Sequence, residues 1–349
     1  MTATSASSGS PDQHLLEAAR GGDEDAFRRL VEPHRGVLNA HCYRMLGSPH
    51  DAEDALQEAL LRSWRGLSGF RAGAPVRPWL FRIATNVCLD ALARRPRRLL
   101  SPDRRPPAEA GEAPGAPLEE PIWLEPYPDD VYDLGDRESE PGARYEQRES
   151  VELAFVAALQ HLPARQRAVL LLRDVLGFTA REVAESLETT AASVNSALQR
   201  ARCTVAKRVP AQSQQATLHA VGDARVREVV QSYVAAWERH DIEAIRALLV
   251  DDAIFAMPPY PEWWSGREAI AQLFTAAGAP RIRHVATRAN GQPAVAWYVW
   301  DPDRRTYTPS ALEVLTLEAA GIKQVTAFVL PELFPSFGLP DEVGPERDR

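Results

Sequence analysis

Ser193, Asn195, Gln199, Arg200 and Arg202 fall on the outward side of a helix that starts near Ala191, while Val194, Ala197, Leu198 and Ala201 take its inner side. Hydroxyl, carboxamide and guanidinium groups in that arrangement hydrogen-bond to base edges and phosphates, so the chemistry expected is the reading of duplex DNA in a groove. A second polar set, Arg82, Asn86, Asp90 and Arg94, repeats every fourth residue along a segment that begins aromatic and ends basic, PVRPWLFRIATNVCLDALARRPRR. Such a surface also suits nucleic acid. A third set, Asp51, Asp54 and Glu58, is acidic and shares one helix face.

Each set needs an element to hold it. Thr179 caps a first helix and Glu182, three residues on, closes a capping box; a turn at residues 188–190 then leads into the helix from Ala191, which together form a helix-turn-helix. The plain alternative for this segment is a three-helix core with a solvated outer face. Upstream, Ser48, Pro49 and Asp51 supply a cap, a proline in the first turn and an early acid, and the helix continues through DAEDALQEALLRSW. The next helix begins near Arg77, with Ile83, Val87 and Leu92 directed to a core.

DAEDALQEALLRSW and PWLFRIATNVCLDALARR resemble regions 2.2 to 2.4 of the extracytoplasmic-function (ECF) type of bacterial RNA polymerase sigma factor, a member of the sigma-70 superfamily. ALQHLPARQRAVLLLRDVLGFTAREVAESL, with the helix after it, is similar to region 4. The resemblance covers roughly the first 210 residues and implies two all-α units, a region 2 helical bundle over 12–95 and a region 4 helix-turn-helix over 148–210. It assigns Asp51, Asp54, Gln57 and Glu58 to the clamp helices of the polymerase largest subunit. Phe70, Arg71, Arg82, Asn86, Asp90 and Arg94 are assigned to the minus-10 element, whose extruded base needs stacking and hydrogen-bonding groups. Trp79 and Phe81 read as core. The minus-35 element falls to Arg173, Arg181, Ser193, Asn195, Gln199, Arg200 and Arg202. Asn195 and Ala197 stand where Lys and Arg are the family's commoner types, which weakens phosphate anchoring.

Between the helical units, residues 96–147 are rich in proline and acids and read as a linker, with 1–11 a disordered start. Its apolar island, PIWLEPYPDDVYD, holds Trp123, Leu124, Tyr127 and Tyr132. In the family the linker passes near the RNA exit path, where an acidic strand can mimic nucleic acid; packing on a helical unit is the other reading. An acidic linker would also disfavour promoter binding by the free protein.

After the polar spacer AQSQQA a third unit begins near Thr217, with two helices, a strand around residues 253–257, a helix near 267–275, and strand-like runs near 293–300, 307–317 and 322–329. This order predicts an α+β cone with a curved mixed sheet. WERHDIEAIRALLVDDAIFAMPP and ANGQPAVAWY resemble the SnoaL-like polyketide cyclase and ketosteroid isomerase superfamily over about 218–335, leaving 336–349 as a tail. In its enzymes a carboxylate within an apolar cone moves a proton beside a carbonyl. Asp252 would be that carboxylate here, with Tyr260 and His284 as partners. Trp237, Met257, Trp263, Trp264, Trp297 and Trp300 would line a pocket or fill a core. The expectation is a regulatory domain without catalysis, open to a small ligand or an anti-sigma protein.

The 349 residues allow two or three domains, and the net charge of -8 is compatible with DNA binding where polymerase supplies further contacts. MTATSASSGSP carries no apolar run, and Cys42, Cys88 and Cys203 form neither a disulfide framework nor a zinc motif. The expectation is therefore a cytoplasmic protein with no membrane span, metal or cofactor, whose partners are core polymerase and promoter DNA. A stand-alone helix-turn-helix regulator and a bifunctional protein with an enzymatic cone are the alternatives.

Overall fold

The computed structural model describes residues 11–71, 74–118, 123–129 and 150–344. The first unit packs α1 (Pro11–Arg20), α2 (Glu24–Leu46), α3 (Pro49–Gly66) and α4 (Val76–Leu92). Asp23 caps α2 by accepting from the Ala26 amide at 3.0 Å, and Gly47 ends it with φ 75°, its N–H bonded to Tyr43 O. A Cβ at Gly47 would meet the Leu124 side chain at 3.0 Å, so both the turn and the close approach require glycine. Ser48 then accepts from the Asp51 amide and starts α3.

The second unit holds α5 (Leu153–Gln160), α6 (Ala164–Leu170), a π-helical turn over Leu171–Val175, α7 (Ala180–Ser186) and α8 (Ala191–Val205). Both halves of the Thr179–Glu182 capping box are made, and Thr190 caps α8. The third unit contains α9 (Gln214–Val221), α10 (Asp223–Glu238), α11 (Ile242–Leu248), β1 (Leu249–Ala256), β2 (Trp263–Ser265), α12 (Arg267–Ala276), β3 (Ile282–Ala289), β4 (Gln292–Asp301), β5 (Thr306–Glu318) and β6 (Gly321–Phe328). Its sheet runs β2-β1-β6-β5-β4-β3, with β1 and β6 parallel and the other pairs antiparallel.

This sheet is covered on both faces. One carries Phe255, Val295, Leu315 and Val325 toward α10 and α12; the other carries Ala294, Ala296, Tyr298, Leu312, Val314 and Phe328 into the cluster that also holds the cores of both helical units. Burial of these apolar groups fixes the cone to the helical units rather than leaving it tethered. β2 and β3 are additional to the strands expected from periodicity. AQSQQA is no spacer: Gln214 and Gln215 open α9, are buried, and their amides donate to the buried Glu152 carboxylate at 2.9 and 2.6 Å.

The described parts of the linker are packed too. Leu99 pairs with Trp123, Tyr43 donates to Glu125 O, and Leu124 and Tyr127 are fully buried. Further upstream, Ala108 joins the cone's own apolar cluster, its amide bonded to Trp263 O, while Arg105 pairs with Glu262 at 2.8 Å. The apolar island therefore lies between region 2 and the cone. Tyr132 falls outside the described residues.

Candidate nucleic-acid and polymerase interface

On α8 the capped turn presents Ser193, Asn195, Gln199, Arg200 and Arg202 to solvent while Val194, Leu198 and Ala201 are buried. Arg202 is held in a fork by Asp174 at 2.7 and 2.8 Å, which orients its guanidinium across the helix. Arg181 is exposed and pairs with Glu185. Arg173 instead donates to Phe178 O, an internal tie that closes the turn before α7.

On α4, Arg82 and Asp90 are exposed and Asn86 is half-buried, and Arg94, just past the helix end, is exposed as well. Asp90 accepts from Arg62, which also binds Glu58, so one guanidinium links α3 to α4. Arg71 is exposed, but Phe70 is buried and its ring packs on Trp79 with centroids 4.7 Å apart. In this arrangement Phe70 holds the loop down and offers no stacking face. Phe81 is buried, in keeping with its assignment to the core.

Region 4 lies against this helix. Arg77 donates to Leu176 O at 3.0 Å and stacks over Phe178, Phe81 meets Phe178 edge-on, and Arg82 pairs with Glu188 at 3.7 Å. The first half of α4 thus touches the unit that carries α8, with Arg77 and Arg82 still exposed.

The acidic face of α3 divides into two parts. Asp54 and Glu58 are open, with side chains 61% and 42% exposed, and Gln57 stands between them. Asp51 is only 12% exposed and is gripped by Arg95 and Arg98. Burial raises its pKa, yet the two guanidiniums outweigh this and leave it lowered. Arg98 also binds Glu125 and the Trp123 carbonyl, so Asp51 ties α3 to the linker. It lines a cavity of about 830 Å³ walled by Arg98, Leu118, Glu125, Leu330 and Glu332.

The cone does not assemble the expected proton-transfer set. Asp252 sits on the outer part of β1 with its carboxylate 75% exposed and paired to Lys323, which lowers its pKa. Tyr260 lies in the β1–β2 loop, where its carbonyl accepts from Ser101, and His284 packs on Trp297, its pKa pushed down to about 4 by burial. The interior carboxylate is Glu313. It is fully buried, accepts from the Tyr233 hydroxyl at 2.9 Å, and is pushed up to about 8 by burial, with Tyr233 and Trp297 opposing that rise. Trp237 and Trp297 stack edge-on at 4.6 Å, and Met257 and Trp264 belong to the same core. Trp263 and Trp264 also donate to the linker carbonyls of Arg105 and Glu112, while Trp300 faces Tyr307 elsewhere. Among the described residues no group of three or more metal-ligating side chains occurs.

Models of sigma-70 region 2, sigma-70 region 4 and a SnoaL-like domain match residues 30–98, 152–203 and 230–325 in turn. The chain is 43% identical over 328 residues to the ECF RNA polymerase sigma factor SigG of Mycobacterium tuberculosis, spanning 93% of this chain and 86% of that one. The chain belongs to the ECF family of RNA polymerase sigma factors. It is also 33% identical over 196 residues to SigM of the same organism, covering 56% of this chain and 83% of SigM. The crystal structure of the M. tuberculosis ECF sigma factor SigJ superposes with a TM-score of 0.54 at 21% identity, covering 88% of this chain and 97% of SigJ, so the three-unit architecture is shared. Membership makes this sigma factor a transcription initiation factor, and its SnoaL-like unit is an integral part of the fold.

Proposed function

We propose that this sigma factor divides promoter recognition between its helical units. Residues 12–95 bind core polymerase through Asp54, Gln57 and Glu58 and the minus-10 element through Arg71, Arg82, Asn86, Asp90 and Arg94. Residues 148–210 read the minus-35 duplex with Ser193, Asn195, Gln199, Arg200 and Arg202, and Arg181 meets the backbone. The observation that carries this reading is the doubly capped helix-turn-helix, which leaves an outward face of amides and guanidiniums on α8. Good base contacts are worth about 1 to 3 kcal/mol each. Arg200→Ala is expected to weaken holoenzyme binding to a selected minus-35 duplex about tenfold and to relax specificity at one position, measured by competition binding at fixed salt. Unchanged affinity and specificity would remove α8 from the duplex.

The SnoaL-like unit acts as a regulator rather than an enzyme. Asp252 is exposed and salt-bridged, and the cone interior is occupied by Trp237, Phe255, Trp264, Phe274 and the linker residue Ala108. Glu313 beside Tyr233 is the group on which an enzymatic reading would stand instead. A small ligand or a second protein on the cone would act by shifting its contacts with the helical units. Action on polymerase and promoter places the protein in the cytoplasm, and no described helix is long and apolar enough to cross a membrane.

A further inference from the structure

The helix-turn-helix carries no net charge. From Arg173 to Arg202 the sequence holds four arginines and four acids, the acids being Asp174, Glu182, Glu185 and Glu188. A module that grips duplex DNA by its phosphates needs an excess of cations, because each phosphate neutralised releases counterions and adds affinity on any sequence. Glu182 is used in the capping box. The other three acids cap neither helix, and each stands beside a group that would otherwise meet the DNA backbone.

Asp174, in the π-helical turn before α7, accepts from both Nε and Nη2 of Arg202, at 2.8 and 2.7 Å. This fork covers the side edge of the guanidinium and leaves its end, Nη1 with the outer hydrogen of Nη2, to face DNA. On α7, Glu185 accepts from Arg181 at 3.0 Å. Arg173 is turned inward to Phe178 O. Of the four arginines, Arg200 alone has a guanidinium with no carboxylate or carbonyl partner among the described residues.

Glu188 lies in the turn between α7 and α8 with φ 52°, a left-handed conformation that glycine adopts without strain and a glutamate does not. Its side chain is 80% exposed, two residues before Thr190, the N-cap of α8. The positive end of a helix dipole attracts phosphate, and a carboxylate placed there opposes that attraction. The pair with Arg82, at 3.7 Å and open to solvent, is too weak to account for a strained acid in the turn.

We propose that Asp174, Glu185 and Glu188 are specificity-determining residues of the minus-35 reader: their carboxylates compete with phosphate for Arg202, Arg181 and the start of α8, so that the unit holds DNA only where its base contacts are made. This rests on the assignment of α8 to the minus-35 duplex. In a promoter complex the base contacts fix where α8 lies, and Arg181 and Arg202 reach a phosphate only if one falls at that place. On other sequences the unit is free to slide until its cations meet phosphates. Carboxylates that occupy those cations therefore weaken indiscriminate binding more than promoter binding.

The test is binding of the holoenzyme, with core polymerase alone as background, to a short duplex carrying the selected minus-35 element and to a scrambled duplex of equal length, over a salt series. In the Asp174→Asn, Glu185→Gln double variant both side chains keep their size and an accepting oxygen but lose their charge. On the scrambled duplex the fall of log affinity with log salt is expected to steepen by about 1.8, at about 0.9 for each further phosphate neutralised. At low salt that duplex should bind about tenfold tighter, and the selected-to-scrambled ratio should fall several-fold. Asp174→Glu, made alone, restores the charge and should keep the wild-type slope, which a purely structural fork would not require. Glu188→Gln is expected to raise scrambled binding by less; it carries the test if the double variant melts early, since Glu188 is exposed and outside both helices. An unchanged slope in folded protein, or a steeper slope with an unchanged ratio, would overturn the proposal. A wild-type holoenzyme that does not tell the two duplexes apart would contradict the minus-35 assignment itself, whereas wild-type discrimination with unmoved variants would remove the carboxylates' role alone.

Discussion

Core polymerase is expected to bind the Asp54→Lys, Glu58→Lys double variant on the order of 100-fold more weakly than the wild type, because like charges set against a basic partner surface cost several kcal/mol. Both carboxylates are open on α3, and neither is tied into the fold by more than a surface pair, Asp54 with His50 and Glu58 with Arg62. Surface pairs of this kind contribute little to stability, so the variant's thermal transition should stay near that of the wild type. Asp51 should behave in the opposite way. Asp51→Ala strips a partner from the buried Arg98 and is expected to destabilise the region 2 to linker contact by about 2 kcal/mol, with polymerase affinity falling only as the folded fraction falls. Calorimetric titration of core polymerase alongside thermal melts separates the two. Equal losses of affinity at Asp51 and at Asp54 with Glu58 would mean that the whole acidic face meets the polymerase, and an unaffected double variant would place the contact elsewhere.

Folded, Glu313 keeps its proton until the pH approaches about 8, whereas an unfolded glutamate releases it near 4.5. Between those values the folded cone binds the extra proton, so its stability is fully present below 4.5, declines as pH rises through the window, and is lost in this part above 8. The shift corresponds to roughly 3 to 5 kcal/mol. Glu313→Gln stays neutral and can still accept from Tyr233. It should flatten the pH dependence of cone unfolding between pH 5 and 9 and leave the variant more stable than the wild type at pH 9. Denaturant melts followed by tryptophan fluorescence across that range provide the measurement. A wild-type cone whose stability does not fall with rising pH would show that the carboxylate is ionised when buried.

The local signals were legible. A Thr with Glu three residues on gave the capping box, Ser48 with Pro49 gave the start of α3, and the apolar spacing of α8 separated its outward amides from Val194 and Leu198. What could not be read locally was set by partners distant in the chain. Proline and acid crowding reads as a solvated linker, yet Leu124 and Tyr127 are buried because Gly47, Tyr43 and Asn290 receive them. β3, with the sequence IRHVATRA, mixes cations into its alternation and lies at the sheet edge, so periodicity did not mark it as a strand. Glu313 was hidden for a related reason. Its neighbours Leu312 and Val314 face the helical units while it faces the cone interior, and a sheet buried on both sides gives no alternation to show which side holds an acid. Asp252 was nominated by the resemblance to the SnoaL-like enzymes, but β1 turns that residue outward to Lys323.

Run-off transcription with purified core polymerase on DNA selected by the reconstituted holoenzyme, comparing the full chain with residues 1–212, decides whether this chain directs polymerase to promoters. Transcripts that start at one position and require the added protein are predicted, with the two proteins differing in yield because the shorter one lacks the cone that packs on both helical units. Failure of both to bind core and to yield a specific transcript would contradict the account.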